Sequence, residues 1–483
     1  MNNSVDGEIK RLKKIAFRSV RNGMFEKALA ALSSASELTY YYNQKYIDEN
    51  LEEEIKSISL SLLGECNISK RMLNPDTVLF YDGFGFDTRG LALIYLKGLI
   101  ANGYKIIYVT NKGSKNKQPE ILKNLKGHKV QYCYINMYKG YIAWIKELLK
   151  CFVQYKPFVA FFYTTPFDVS GCVVFEHFDG VIKRLQIDLT DHAFWIGKYA
   201  FDYCVELRSV GSQISANYRN IDIKKLVLLP YYAYYDENES FKGFPFDDTG
   251  KRVVFSGGAL YKTLGDLNNT YYQIVEYILN KYDDIIFLYA GFGDSTELEK
   301  IISKYPNRAY HIDERKDLFQ ILQRSVFYLN TYPMFGGLMM NYAVTAGKLP
   351  LTLKHKHDAD GLLFNQDKLG IEFETVEDLL KEIDYLLTDS HYLQEKEKQI
   401  CHSVITKEIF EKNLKTLIEK NQTDFVIDDN EIDTSSFIAE FKERFNLERA
   451  MYKSIVKRDN WSLIFDYPIL FIKKTLYRMN KKM

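Results

Sequence analysis

The residues best suited to chemistry in this 483-residue chain follow apolar runs. The run Ser325–Thr331 leads into Gly336 and Gly337, then a small-residue helix ending near Gly347, then a second apolar run from Leu349. Glycine lets a ligand approach the backbone, and the free N–H groups at a helix start favour an anion such as phosphate. Gly257 and Gly258 follow another run, with Lys262 close behind, so two amides and an ammonium can reach a diphosphate. The block from Asp188 through Asp191, His192 and Trp195 sets an Asp-His pair at a strand end. There an imidazole serves as a base or hydrogen-bonds a sugar hydroxyl. Each has a structural alternative, a tight turn with a surface lysine or a packed histidine. The strand-end position and the neighbouring Asp favour function for His192.

An earlier loop, Tyr81 to Gly90, invites a dinucleotide-binding reading, but Gly83-x-Gly85 lacks its third glycine, with Thr88 in that place. Thr110 and Asn111, rather than an acid, follow the second strand, so a ribose clamp is unsupported. A loop presenting Asp87 and Arg89 to a polar ligand fits better, and a turn with an internal Asp–Arg pair fits equally well. Two further loops, Gly291–Asp294 and His311–Lys316, are ordinary alone, and their order carries more information than either.

These residues need strands to carry them. From Pro75, β-forming runs alternate with helical segments: Thr77–Tyr81, Lys105–Thr110, Val130–Ile135, Pro157–Tyr163, Arg184–Leu189, Tyr203–Leu207 and Lys225–Leu229. After a polar stretch the pattern resumes with Arg252–Phe255, Ile285–Tyr289, Ala309–Ile312, Ser325–Leu329 and Leu349–Leu353. The predicted fold class is therefore α/β, two doubly wound parallel sheets facing a cleft, with ligands at the carboxyl ends of the strands. The expected division is a helical extension over 1–74, domains over 75–234 and 235–420, and a linker with a helical tail over 421–483. Gly23, Phe25, Ala28, Leu32 and Ala35 resemble one hairpin of a tetratricopeptide repeat. With no second repeat visible, the hairpin is expected to cap the next domain. The tail sets Lys473, Lys474, Arg478, Lys481 and Lys482 beside Ile464, Phe465, Leu470, Phe471 and Leu476. That pattern fits a helix on an anionic membrane surface and a docking helix with a solvated end equally well.

Bulk composition narrows the classes. A net charge of +1 gives no global nucleic-acid footprint, so no nucleic-acid partner is expected. Aromatic residues make up 15%, with 37 Tyr and 32 Phe, mostly as core and surface and for a few as platforms for sugar rings. The six cysteines form no CxxC pair and no His stands at ligand spacing, so no metal is expected. The N-terminus lacks the apolar stretch of a signal peptide, and no run is long enough to span a bilayer. A cytosolic, reduced protein is expected, with peripheral contact at the inner membrane face if the tail binds lipid.

Taken together, residues 75–400 resemble the GT-B glycosyltransferases. The loop Phe84–Gly90, the strand-end His192, Ser256–Gly258 with Lys262, and the segment Phe287–Leu353 carry the resemblance. It implies an N-terminal Rossmann-like acceptor domain, a C-terminal donor domain and a final helix crossing back to the first. It also implies a nucleotide-sugar substrate linked to UDP or GDP, no cofactor, and a glycan, lipid-linked or protein acceptor in surface-polysaccharide or glycoconjugate synthesis. The implied donor residues are Gly257, Gly258, Lys262, His311, Arg315, Gly336, Gly337, Leu338 and Asn341. Asp87, Arg89 and Gly90 would meet the acceptor, and His192 with Asp191 would be catalytic.

One departure stands out. Many retaining members carry two glutamates around the last glycine turn. Aligning on Gly347 puts Met334 and Tyr342 there, with Asn341 the nearest polar group. Either a divergent hexosyltransferase uses Asn341 and backbone groups, or the chain is a non-catalytic partner that binds a glycosyltransferase or glycan. An epimerase or phosphorylase is disfavoured, since no acid/base pair or pyridoxal-phosphate lysine context is visible in the sequence.

Overall fold

The computed structural model describes residues 2–42, 44–86, 90–354, 363–364, 366–427 and 446–480, with side chains for all of these except 2–4, 367 and 476–480. The chain forms two compact units, Met1–Leu229 with Lys407–Met483, and Pro230–Thr406.

Unit 1 holds seven strands: β1 (Asn74–Asp82), β2 (Lys105–Asn111), β3 (Val130–Ile135), β4 (Pro157–Tyr163), β5 (Lys183–Ile187), β6 (Tyr203–Glu206) and β7 (Leu226–Leu228). They pair in parallel in the order β3-β2-β1-β4-β5-β6-β7. Central strands of a parallel sheet are covered on both faces, so they read as continuous apolar runs rather than alternating ones. The register Phe80↔Phe161 and Tyr81↔Phe162 stacks aromatic rings across β1 and β4, with centroids 5.9 and 5.8 Å apart. Much of the aromatic content is thus core.

Unit 2 repeats the scheme with β8 (Arg252–Gly257), β9 (Ile285–Ala290), β10 (Ala309–Ile312), β11 (Phe327–Leu329), β12 (Pro350–Leu353) and β13 (Glu372–Phe373). Its order is β10-β9-β8-β11-β12-β13, again parallel. All twelve expected strands are present. The thirteenth, β13, has two residues and leaves too short a pattern to detect.

The expected domain borders differ from the packing. The N-terminal helices Asn2–Arg21 and Phe25–Tyr42 form the expected hairpin, turning at Gly23 with φ of 68°. The second helix is buried almost throughout, its run AALSSAS offering small side chains that let neighbours pack close. Glu26 accepts hydrogen bonds from the Tyr141 and Ile142 amides at 2.8 and 2.9 Å, capping the helix Tyr141–Tyr155 from outside. The C-terminal segment closes on the same layer, where Asn460 donates to Ser34 Oγ at 2.8 Å and accepts from Tyr141 OH at 2.8 Å. Extension and tail therefore share the core of unit 1.

The helix Lys407–Lys420, assigned from sequence to the second domain, also belongs to unit 1. It buries Phe410, Leu414 and Leu417, and Leu414 packs so closely on Gly98 that a Cβ there would lie 2.7 Å from Leu414 Cδ2. This is the crossing-back helix that the resemblance implied.

Candidate functional sites at the strand ends

In unit 2 the strand order reverses between β8 and β11, the place where open α/β sheets leave a crevice. One buried amide organises it. Asn330 Oδ1 accepts the Thr331 and Gly336 amides at 2.9 and 2.8 Å, and Nδ2 donates to Thr352 Oγ1 at 3.1 Å. Both ends of the turn after β11 are thereby pinned. Tyr328 OH donates to the Gly257 carbonyl at 3.0 Å, tying that turn to the end of β8.

The helix Gly337–Thr345 starts at this turn, and no side chain caps it. Its first amides, including those of Gly337 and Leu338, point the positive end of the helix dipole at the crevice. Lys262 lies at the same end, its Nζ donating to the Phe335 carbonyl at 3.3 Å. Burial pulls its pKa below the ordinary lysine value, and among the described residues no carboxylate pairs with it. A buried ammonium with no carboxylate partner among the described residues thus lies beside an uncapped helix start, a pairing whose charge and free amides suit an anion.

The other expected donor residues divide. Gly258, with φ of 129°, packs against the loop after β9 so tightly that a Cβ on Gly291 would sit 1.9 Å from the Gly258 carbonyl oxygen. His311 braces that loop, its Nε2 2.9 Å from the Gly291 carbonyl oxygen. Arg315 is held elsewhere, donating to Asp317 Oδ1 at 2.8 Å and to the Gly243 carbonyl at 2.8 Å. Asn341 is buried and turns its amide back to the Gly337 carbonyl at 3.3 Å. The structure thus gathers Gly257, Gly258, Lys262, Gly336, Gly337 and Leu338, with His311 one loop away.

Unit 1 presents a different chemistry. Asp191 sits after β5, its carboxylate bound by Arg208 through Nε at 2.5 Å and Nη2 at 3.1 Å. That guanidinium, with His192, holds the Asp191 pKa far below the usual carboxylate range despite burial. His192 Nδ1 lies 3.1 Å from Asp191 Oδ1, and its side chain is 39% exposed. Arg219 underlies this loop, donating to the Asp191 and Ala193 carbonyls at 2.8 and 2.6 Å and lying 4.9 Å over the Trp195 ring. From the N-terminal extension, buried Glu52 accepts the Gly197 and Lys198 amides at 3.0 and 2.9 Å, fixing the segment that follows.

Several buried acids went unremarked in the sequence. Asp82 ends β1 and accepts from the Phe84 and Gly85 amides at 3.1 and 2.9 Å, Tyr108 OH at 2.6 Å and Gln118 Nε2 at 3.0 Å. Burial outweighs these bonds and pushes its pKa up to about 6. Glu206 ends β6, and burial together with the Asp188 charge pushes it up to about 8. The signal available was an apolar strand closing on an acid, in LFYD and in YCVE. Gly90 heads the helix Leu91–Ala101 with φ of 60°, while Asp87 and Arg89 lie outside the described residues.

Asp188, Cys204 and Glu206 present ligand atoms within 4.8 Å of one another. Arg219 Nη1 already stands 3.8 Å from Asp188, supplying the positive charge a metal would bring. Beside Asp188, a polar cavity of about 20 Å³, lined by Thr164, Gln186, Thr190 and Trp195, has room for one water.

No protein-family model matches this chain, and no curated protein does. Solved structures do. UDP-GlcNAc 2-epimerase from Neisseria meningitidis bound to UDP-GlcNAc is 12% identical with a TM-score of 0.51, over 71% of this chain and 98% of that one. A glycosyltransferase from Rickettsia africae is 13% identical with a TM-score of 0.52, over 72% and 100%. Anabaena HepE in complex with UDP and glucose is 10% identical with a TM-score of 0.50, over 71% and 99%. The fold is GT-B, shared by glycosyltransferases and nucleotide-sugar epimerases.

Proposed function

We propose that this chain is a nucleotide-sugar enzyme whose unit 2 holds the donor diphosphate, and that it transfers a hexose to a glycan, lipid-linked or protein acceptor in surface-glycan synthesis. The observation that carries the reading is Lys262, an ammonium with no carboxylate partner among the described residues, at the uncapped start of Gly337–Thr345. Solved structures of this fold hold UDP, UDP-GlcNAc, or UDP and glucose, which supports a uridine nucleotide as the first to try. In such a transfer the acceptor hydroxyl attacks the anomeric carbon and the nucleoside diphosphate leaves. Lys262 and the helix amides stabilise the charge that builds on the leaving phosphate. His192, oriented by Asp191, takes the acceptor proton or binds a sugar hydroxyl.

A second reading keeps nucleotide or glycan binding without turnover. It is favoured by the side chains at the places where many retaining members have glutamates. The Tyr342 hydroxyl donates to the Tyr234 carbonyl, and Met334 offers its backbone, the amide donating to the Lys262 carbonyl at 3.2 Å and the carbonyl accepting from Thr331 Oγ1 at 2.6 Å.

Calorimetric titration with UDP, GDP, UDP-GlcNAc and UDP-glucose, followed by mass spectrometry of the mixtures, separates the outcomes. Binding with release of free nucleoside diphosphate and a glycosylated acceptor supports transfer. A C2-epimerised sugar makes the chain an epimerase, and binding without any product makes it a non-catalytic partner. No binding by any nucleotide overturns the donor site. His192→Ala should abolish turnover while leaving nucleotide affinity unchanged, and retained turnover removes His192 from the mechanism.

A further inference from the structure

We infer that one face of unit 1, built from its first helix and its C-terminal segment, docks on an anionic lipid bilayer. This goes beyond the nucleotide reading and does not depend on it.

Phe465, Ile469 and Ile472 are 91, 68 and 59% exposed, the densest group of bared large apolar side chains among the described residues. They do not belong to a frayed end. Leu463, Tyr467 and Phe471, interleaved with them, are buried in the core of unit 1. The segment is therefore held firmly while its outer side stays apolar, an arrangement that costs free energy in water unless something covers it.

Cations flank this patch. Arg11 donates through Nη2 to the Asp466 carbonyl at 2.7 Å, and its guanidinium lies 4.4 Å over the Tyr467 ring. Arg11 is one of a row on Asn2–Arg21: Arg11, Lys14, Arg18 and Arg21 are all exposed and spaced three or four apart, with exposed Lys10 adjacent to Arg11, and so lie on one side of the helix. Lys14 and Arg18 form no ion pair among the described residues, and exposed Lys473 adds a cation from the tail itself.

Bared aromatic and aliphatic groups beside cations, of which Lys10 and Arg11 pair with Asp6 and Glu8 while Lys14 and Arg18 form no ion pair among the described residues, match the boundary of an anionic membrane, where apolar groups enter the acyl region and ammonium or guanidinium groups meet phosphates. Charge disfavours the alternative of a second copy, since a twofold contact through this patch would bring its basic rim near the same rim of the partner. No helix among the described residues is long and apolar enough to cross the bilayer, so the contact is an interfacial one.

The test is co-sedimentation of the full chain with phosphatidylcholine vesicles containing 30% phosphatidylglycerol, and with pure phosphatidylcholine, at 0.1 M NaCl. Binding to the anionic vesicles, at least about 10-fold tighter than to neutral ones and released by 1 M NaCl, is the expected result. Lys14→Ala/Arg18→Ala should weaken it about 30-fold, from roughly fivefold per cation lost. Phe465→Ser/Ile469→Ser/Ile472→Ser should remove it while circular dichroism and nucleotide binding stay unchanged. Failure of the unaltered chain to bind, insensitivity to salt, or full binding by either variant overturns the inference. So does sedimentation velocity showing that the triple variant instead breaks up a dimer.

Discussion

The strand ends of the two units carry opposite electrostatics on similar sheets. Unit 1 ends β1 and β6 on the buried acids Asp82 and Glu206, and sets Asp188 and Asp191 just beyond β5. Arg208 and Arg219 are bonded into that cluster. Unit 2 ends β8 on glycine and follows β11 with a buried amide, and its cation, Lys262, has no acidic partner among the described residues. A cation with an internal partner maintains the fold, whereas one held without a partner is available to an anionic ligand. The same parallel topology thus yields a closed ion cluster in one unit and, in the other, a buried cation beside an uncapped helix start.

The largest effect should come from cutting one cation in each unit. Arg208→Ala leaves the buried Asp191 carboxylate without its guanidinium, with the His192 ring still beside it, and should cost about 3–5 kcal/mol of stability in urea unfolding followed by circular dichroism. Lys262→Ala strands no carboxylate and frees only the Phe335 carbonyl. It should leave the unfolding free energy within about 0.5 kcal/mol and weaken nucleoside diphosphate binding roughly 10- to 100-fold in calorimetry, the loss of one charge-assisted hydrogen bond. Equal destabilisation by both would end the contrast.

Next comes the scaffold of the open site. Asn330→Ala leaves the Thr331 and Gly336 amides without their acceptor and should destabilise by about 2–3 kcal/mol. An unchanged melting temperature would mean the turn is held by other contacts.

Proton linkage sharpens the comparison further, with opposite signs in the two units. Glu206 has its folded pKa raised to about 8, so the folded state holds a proton the unfolded chain has released, and stability falls as pH rises from about 4.5 to 8. Lys262 has its folded pKa lowered, so the unfolded chain binds the extra proton, and stability rises as pH climbs through the lowered value towards 10.5. Melts across pH 5–10 should show Glu206→Gln flattening the first slope and Lys262→Met the second. Reversed slopes would contradict the burial assigned to these groups. The smallest effect on stability is that of His192→Ala, within about 0.5 kcal/mol, because its ring is half-exposed.

Local pattern revealed most of the scaffold. Val130–Ile135, Pro157–Tyr163 and Ala309–Ile312 are observed with the bounds expected, because β-forming runs between breaks mark a strand both in the sheet interior, as for β4, and at an edge, as for β3 and β10. The glycine turns and Lys262 were legible for the same reason, lying directly after such runs. Arg315 shows where that logic stops. Its position after β10 suited a ligand, yet Asp317, two residues on, and the distant Gly243 carbonyl take its guanidinium. Nor did any local signal tie Glu52 to Gly197, 145 positions away.

The sequence by itself determined the element types, their parallel class and the glycines at the strand ends, since periodicity and backbone freedom are local properties. Tertiary structure decided which charges are neutralised. Arg208 finds Asp191, and Lys262 finds no acid among the described residues, because partners are chosen by distance in space, which the order of residues does not encode. It also decided that the first helix and the last segment share one layer, setting Arg11 against Tyr467 and the basic row beside Phe465. Burying the second helix requires both neighbours, so the two ends of the chain meet there.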